Sequence, residues 1–304
     1  MSESDRAGSV PGPRAWFIAM RPWSFTAAAV PILFGTGLAA LEGSLNPWLF
    51  ALTLLGGIAL QAATNLHNTY GDYISRVDTP DSAVTCPQLV DGSFRPEAMY
   101  RAGWLALGCA GLLGLVLTWT CGPLVLLFGG VGALGGYLYT NGKKPYKYVG
   151  LGPLFVFMLM GPLMALPAYF IQTGRLAPAP AFGSLGIACL VAAIMHANDL
   201  RDIAHDRAAG IHTLAMLLGR GRAVGLFAGL TFGAFAILGL SWAGGLLPWP
   251  CLAPFILLPG LTGKLRRILP PDADLIDLEG WTAKFHFQFG LLLTTGLAAA
   301  KLSA

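Results

Sequence analysis

Nine runs of predominantly apolar residues divide this chain, at roughly 23–42, 47–66, 102–119, 122–140, 151–172, 181–198, 223–243, 248–263 and 285–302. About 20 such residues in an α-helix cross the hydrocarbon core of a bilayer. The runs therefore predict an all-α membrane protein with nine transmembrane helices, of which 248–263, short and Pro-rich, is the weakest. Only 11% of the residues are charged and 55% are hydrophobic, against about a quarter charged in soluble domains, which excludes a soluble globular fold. The 40 Gly and 21 Pro sit mostly inside the apolar runs, where both are commoner than in soluble helices. Five scattered cysteines with no C-x-x-C spacing point to neither a disulfide framework nor a zinc site. Residues 1–15 are polar and Pro/Gly-rich and lack the apolar core of a signal peptide. They read as a disordered tail before a single domain, 16–304.

Charge fixes the expected orientation. Arg6, Arg14 and Arg21 precede the first run, and four long gaps hold the rest of the basic residues except two. These are Arg76, Arg95 and Arg101; Lys143, Lys144 and Lys147; Arg201, Arg207, Arg220 and Arg222; and Lys264, Arg266, Arg267 and Lys284. Only Arg175 and Lys301 fall on the other side. Cytoplasmic loops carry the excess of Lys and Arg. The chain is thus expected to be a multi-pass inner-membrane protein, with its N-terminus and all four long gaps in the cytoplasm. Trp48, Trp119, Trp242 and Trp249 near the outer ends of the runs, and Trp16, Trp23 and Trp281 near the inner ends, are placed as interfacial anchors.

Two acidic clusters stand out on the predicted cytoplasmic side. The first runs from Asn65 through Asn68 and Asp72 to Asp78 and Asp81; the second holds Asn198, Asp199, Arg201, Asp202, His205 and Asp206. Each begins where an apolar run ends, and each contains Asn-x-x-x-Asp. They lie four predicted helices apart, which suggests two similar halves followed by a final helix. Asn68 and Asp72 are one helical turn apart; Asn198, Asp202 and Asp206 make one stripe at i, i+4, i+8. From Asp72 to Asp78 the step is six residues, so the helix must break or Asp78 must arrive from a loop. Carboxylates stacked this closely repel, and a cation must compensate them.

One reading makes the acids solvated helix ends paired with Arg76, Arg201 and Arg207. Two matched clusters at equal depth weigh against it. Carboxylate and amide oxygens suit Mg²⁺, which commonly bridges one or two carboxylates to a substrate diphosphate. Asn68, Asp72, Asp78, Asn198, Asp202 and Asp206 are the candidate metal ligands, and Lys143, Lys144 and Lys147 would neutralise remaining phosphate charge. An allylic diphosphate ionises when the charge on its leaving group is stabilised, and the resulting cation needs a dry apolar space. Tyr70, Tyr137 and Tyr139 are candidate rings to face it. His196, two residues before Asn198, is read as a packing residue, the alternative being contact with an acceptor; Asp272, Asp274, Asp277 and Glu279 are read as a solvated acidic loop.

At these residues the chain resembles the UbiA superfamily of intramembrane prenyltransferases, and within it the branch that prenylates 1,4-dihydroxy-2-naphthoate. Arg21-Pro22 through Pro31 and Gly35 resembles the first helix of that superfamily. Asn68 to Asp72 with Asp78 resembles its first Asp-rich motif in the naphthoate-branch spacing. Tyr137, Tyr139, Tyr148, Gly150, Gly152 and Gly161-Pro162 are similar to its middle. Asn198, Arg201, Asp202 and Asp206 with Gly210 and Thr213-Leu214 resemble its second motif, and Thr282 to Lys284 with Phe289-Gly290 its last helix. The resemblance implies a nine-helix bundle around a central cavity with a cytoplasmic cap, and Mg²⁺-dependent ionisation of a polyprenyl diphosphate. It also implies transfer to a naphthoate-type aromatic acceptor with loss of CO₂. Asp72, Asp78, Asp202 and Asp206 would be catalytic, and Asn68, Arg21, Tyr70, Tyr139, Lys143, Lys144, Asn198 and Arg201 would bind substrate.

The chain departs from that pattern in three places. Cys86-Pro87-Gln88 stands where relatives carry an Arg, Pro153 where they often carry an acid, and Ile211-His212 where a Gly and a basic residue are common. Other acceptors, such as 4-hydroxybenzoate, homogentisate or a haem, would use the same fold. A transporter would place charges in mid-helix, where few occur, and a CDP-alcohol phosphotransferase would carry an Asp-Gly-x-x-Ala-Arg motif that is absent. Besides its substrates the expected partner is the lipid bilayer, and no nucleic acid.

Overall fold

The structure is a computed structural model that describes residues 11–79 and 86–303; Asp81, Thr85 and the first ten residues of the expected tail lie outside it. Residues 13–15 of the expected tail belong to a short helix, α1 (Pro13–Ala19), opened by Pro13. The α-helices that follow are α2 (Thr26–Leu41), α3 (Pro47–Ile74), α4 (Pro96–Cys121), α5 (Leu124–Leu138), α6 (Gly152–Leu159), α7 (Pro162–Thr173) and α8 (Pro178–Gly183). They continue with α9 (Leu185–Arg201), α10 (Ile203–Ala208), α11 (Leu214–Leu218), α12 (Arg220–Ala243), α13 (Leu258–Ile268) and α14 (Leu278–Ser303). No strand occurs among the described residues. Each expected apolar run has a helical counterpart, and six helical stretches among the described residues are long and apolar enough to cross a membrane.

Proline explains where the runs break. The 151–172 run splits into α6 and α7 at Gly161-Pro162, since proline lacks the N–H that would continue the helix and disfavours helical geometry in the residue before it. The 248–263 run becomes a 3₁₀ segment, Trp249–Leu257, followed by α13; Pro248, Pro250, Pro254 and Pro259 remove the amides a regular helix needs there. Proline at the first turn opens α3, α4, α7 and α8 without loss of a bond. Asn46 caps α3, its side chain accepting from the Trp48 and Leu49 amides at 3.0 and 3.2 Å.

At 28 residues, α3 is about 42 Å long and outruns a hydrocarbon core of about 30 Å. It must therefore extend beyond that core, and its last turns carry Asn68 and Asp72. The helix closes through Arg76, which takes the left-handed conformation at φ 57°. The Val77 amide then bonds the Asp72 carbonyl at 2.8 Å and the Arg76 amide the Tyr73 carbonyl at 3.0 Å, the pairing that ends a helix with a reversed residue. This turn folds the chain back over Asp72, with the Asp78 amide 3.2 Å from the same carbonyl. The six-residue step in the first motif is thus a helix stop, and Asp78 does arrive from a loop.

The second motif ends in the same way. Asp202 sits at the junction of α9 and α10 and keeps the i+4 ladder across it, with Asp202 N to Asn198 O at 3.1 Å and Asp206 N to Asp202 O at 2.8 Å. Gly210, at φ 74°, then lets the Ile211 amide return to the Asp206 carbonyl at 3.1 Å. α9 is the most enclosed helix, buried on nearly every side and packed between α6, α12 and α14. α2 lies against α7 so closely that a Cβ on Gly35 would stand 2.1 Å from the Ala165 carbonyl oxygen. Gly35→Ala is expected to destabilise the protein by about 2 kcal/mol through overpacking. Gly229→Ala, where a Cβ meets nothing within 4 Å, is expected to be neutral; thermal unfolding in detergent distinguishes the two.

Candidate active site

Asp72 is the centre of a buried network, itself 3% exposed. Its Oδ2 accepts from Lys147 Nζ at 2.7 Å and from Asn68 Nδ2 at 2.9 Å, and its Oδ1 from the Tyr148 hydroxyl at 2.7 Å. Lys147 and Tyr148 come from a 3₁₀ turn, Tyr146–Val149, between α5 and α6. The chain leading from α5 to that turn packs on the end of α3, where a Cβ on Gly71 would stand 2.7 Å from the Thr140 carbonyl oxygen, so only glycine admits this approach. Arg21, left-handed at φ 56°, reaches across from before α2 and donates to Asn68 Oδ1 and Thr69 Oγ1, both at 3.0 Å. Burial, the largest single influence, would lower the Lys147 ammonium's pKa, but Asp72, Tyr148 and Asp78 together outweigh it and the net shift is upward. Burial, then Asp72, pushes the Tyr148 hydroxyl up.

In the second motif Arg201 grips Asp202 through both oxygens, Nε to Oδ1 at 2.8 Å and Nη2 to Oδ2 at 2.7 Å. Its remaining nitrogen bonds Glu279 Oε2 at 2.6 Å, and Asn198 Nδ2 donates to the same oxygen at 3.1 Å. Asp206 is buried and accepts from the Thr213 hydroxyl at 2.8 Å; burial raises its carboxyl in spite of that bond. Each motif thus holds a cation against its repelling acids, Lys147 in one and Arg201 in the other.

The two helix tips meet. His205, between Asp202 and Asp206, donates from Nε2 to the Val77 carbonyl in the loop that carries Asp78. Both motifs line one end of a cavity of about 1020 Å³. Its mouth is formed by Asn68, Asp72, Asp78, Asn198, Asp202 and Asp206 with Arg21, Lys147 and Arg201, and its body by apolar residues such as Leu60, Met160, Met164, Val191 and Ile194. Burial, then the charge on Asp72, lifts the Asp78 carboxyl to about 6, and the cavity lining holds six carboxylates, Asp72, Asp78, Asp202, Asp206, Asp277 and Glu279, against five basic side chains. That fits a further cation. Among the described residues no three His, Cys, Asp or Glu side chains close around one point; a cation here would need oxygens from a ligand as well, as Mg²⁺ does at diphosphates.

Tyr139 lines the cavity, but Tyr70, Lys143 and Lys144 do not. Tyr70 packs against the Tyr100 ring at 4.8 Å, on the side of α3 away from the cavity. Lys143 and Lys144 are exposed; of the three loop lysines, the 3₁₀ turn brings only Lys147 to the acids. Tyr137 belongs to an aromatic group with Trp104 and His67. Glu279 is a correction: it leaves the expected solvated loop, opens α14 and clamps the second motif. Asp277 and Lys264 also line the cavity. His196 is a packing residue, wholly buried with Nε2 donating to the Ala223 carbonyl at 2.8 Å. Tyr148 and Thr213 entered the sequence reading only within stretches that carry the resemblance, and Glu279 only as one acid of a loop; none was expected to bond a motif residue.

The side chains of Lys147 and Asp72 are 11% and 5% exposed, so removal of one partner strands the other. Lys147→Met is expected to destabilise the protein by about 3 kcal/mol, with part of the loss recovered in Lys147→Met/Asp72→Asn. Lys143→Met is expected to change little. Unfolding midpoints in detergent measure all three.

Comparison with known proteins agrees with this geometry. The UbiA prenyltransferase family matches residues 28–276. The 1,4-dihydroxy-2-naphthoate octaprenyltransferase of Bacillus subtilis is 34% identical over 282 residues, 91% of this chain and 90% of that protein. The UbiA prenyltransferase domain-containing protein 1 of Gallus gallus is 35% identical over 298 residues, 95% of this chain and 86% of that protein. Among solved structures, a digeranylgeranylglyceryl phosphate synthase superposes with a TM-score of 0.65 at 15% identity, over 96% of this chain and 99% of that one. A UbiA homologue from Archaeoglobus fulgidus bound to GPP and Mg²⁺ superposes at 0.60 and 14% identity, over 92% of this chain and 99% of that one. Apolar helices long enough to span a bilayer, paired acidic motifs at one cavity mouth and a family match over most of the length lead to one conclusion: this chain is a multi-pass membrane protein that belongs to the UbiA prenyltransferase family.

Proposed function

We propose that this protein transfers a polyprenyl group from polyprenyl diphosphate to 1,4-dihydroxy-2-naphthoate, or a related naphthoate, in menaquinone biosynthesis. One observation carries the reading: two acidic helix tips, joined through His205 and Val77, close the polar end of a cavity whose body is apolar. The likeness to the Bacillus subtilis naphthoate enzyme supports the choice of acceptor. Residues 16–304 would form one domain of nine crossings, two similar halves and a final helix, in the inner membrane. The bias of Lys and Arg supports a cytoplasmic N-terminus and a cytoplasmic cap over the acids.

In this reading Asp72 and Asp78 with Asn68, and Asp202 and Asp206 with Asn198, would hold Mg²⁺, which supplies Lewis-acid neutralisation of the leaving diphosphate. Lys147, Arg21 and Arg201 add fixed positive charge at the mouth and orient the phosphates. The allylic C–O bond breaks, and its electron pair leaves on the diphosphate oxygen. A ring carbon of the acceptor forms the new C–C bond at the allylic carbon. The pair from the ring-to-carboxylate bond then restores the aromatic ring as CO₂ departs. Val191, Ile194, Met160 and Met164 keep water from the allylic carbon, and the Tyr139 ring lines the wall where a cation would be attracted to its face.

Asp72→Ala, Asp202→Ala and Asp206→Ala are each expected to abolish transfer while the protein still inserts. Membranes given labelled polyprenyl diphosphate, Mg²⁺ and a panel of aromatic acids, with products read by mass, test this; normal activity in any two variants removes the metal-site reading. The Asp78 carboxyl, at about 6, must lose its proton before it can ligate. Apparent Mg²⁺ affinity is therefore expected to weaken by about tenfold from pH 7 to pH 5 on its account, and Asp78→Asn is expected to remove that share of the dependence.

A further inference from the structure

Below the acids, α3 turns Thr53, Gln61 and Thr64 toward the apolar part of the cavity, and the two threonine hydroxyls donate to helix carbonyls, Leu49 and Leu60. Gln61 is 7% exposed, lines the cavity, and its Oε1 has no hydrogen-bond partner. Buried side-chain oxygens are nearly always paired in folded proteins, so this one calls for a ligand.

Its orientation is forced by a chain of bonds. The Met20 main-chain carbonyl can only accept, so the Asn65 amide nitrogen faces it, at 2.8 Å. The same nitrogen donates to Ser24 Oγ at 2.8 Å, whose own proton goes to the Arg21 carbonyl, also at 2.8 Å. Asn65 therefore has only its oxygen left for its neighbour, and Gln61 Nε2 donates to it at 3.2 Å. The Gln61 nitrogen is thereby engaged and its oxygen is turned to the cavity. The unpartnered atom is therefore an acceptor, while Nε2 keeps one further N–H beside its bond to Asn65.

That sign selects among the reactants of the proposed reaction. A polyprenyl tail carries no donor, and a diphosphate at neutral pH carries almost only acceptors. The reactant with donors is an aromatic acceptor bearing hydroxyl groups. The eleven residues from Gln61 to Asp72 rise about 16 Å along α3, room for a metal-held diphosphate, the reacting carbon and one aromatic nucleus between them. We propose, resting on the prenyltransfer reading above, that Gln61 is a specificity-determining residue whose carboxamide oxygen accepts a hydrogen bond from a ring hydroxyl of the acceptor, fixing which ring carbon faces the allylic carbon. Asn65, through Met20 and Ser24, is the positioning residue that holds it.

The test uses the full chain in lipid nanodiscs with Mg²⁺, a polyprenyl diphosphate, and as acceptors 1,4-dihydroxy-2-naphthoate, its two mono-O-methyl ethers and 4-hydroxybenzoate. Wild-type protein is expected to prefer the dihydroxy acid over one of the ethers. Gln61→Met is expected to lower kcat/KM for the dihydroxy acid by about 30-fold, to leave that ether unaffected, and to leave the KM for polyprenyl diphosphate unchanged. Gln61→Glu is expected to restore the preference at pH values where the carboxyl is protonated, because it then donates to Asn65 and still presents an oxygen. A Gln61→Met protein that keeps both rate and preference overturns the inference. So does one whose diphosphate KM rises in step with its acceptor KM, which marks a structural role. Wild-type protein that accepts both ethers as readily as the parent acid overturns it with no variant needed. Transfer to 4-hydroxybenzoate alone removes the naphthoate assignment; loss of that transfer in Gln61→Met then supports the inference, and its retention overturns it. No transfer to any acceptor removes the underlying reading and this inference with it.

Discussion

Carboxylates gathered at the polar end of an otherwise apolar chamber repel one another, and the containment of that repulsion organises this part of the molecule. Asp72 and Asp202 each meet a cation within 2.7 Å. Neither cation comes from a distant flexible side chain alone. Lys147 is carried on a short 3₁₀ turn pressed near α3, and Arg201 is anchored on its far side by Glu279 of α14. Asp78 and Asp206 have no such ion pair among the described residues, and their carboxyls sit above the ordinary range. The mouth is thus half neutralised, a state that suits a site awaiting a charged ligand better than a finished structural network.

The geometry depends on helices that stop at set places. Both acidic helices end by a reversal that returns an amide to the carbonyl of a motif aspartate, Val77 to Asp72 and Ile211 to Asp206. In one the reversed residue is Gly210 and in the other Arg76. The first reversal turns Asp78 back over Asp72, and the contact of His205 with the Val77 carbonyl then ties one tip to the other. Below the tips, close helix contacts such as Gly35 on Ala165 leave the bundle rigid around a chamber that opens mostly onto apolar side chains. The two ends of that chamber differ in kind: charge above, and below it the unpartnered amide oxygen of Gln61.

Much of this was legible in the sequence because it obeys local periodicity. The apolar runs mark the helices, and the i+4 stripe of Asn198, Asp202 and Asp206 survives even though the helix bends at Asp202. The break after Asp72 followed from the six-residue step alone. What periodicity cannot show is which side chain a loop presents inward. Lys143, Lys144 and Lys147 are equivalent by composition, and only the 3₁₀ turn separates them. Glu279 looked like one acid among several after Pro270-Pro271, yet it opens α14 facing Arg201. Tyr70 falls on the other side of α3 from Asp72, two residues away, as helical spacing requires. Gln61 was hidden because a lone amide in an apolar run is unremarkable until its nitrogen is seen to be engaged and its oxygen is not.

The central claim is that both acidic motifs hold one diphosphate through divalent cations. Mn²⁺ in place of Mg²⁺, with a non-reactive polyprenyl thiolodiphosphate, allows the coupling between the metal and phosphorus to be read by electron–nuclear double resonance on the intact protein. The account predicts strong coupling to phosphorus in the wild-type protein, and its loss or marked weakening when either Asp72 or Asp206 is changed to Asn. Full coupling that persists after one motif is neutralised, or metal bound with no phosphorus nearby, would contradict it.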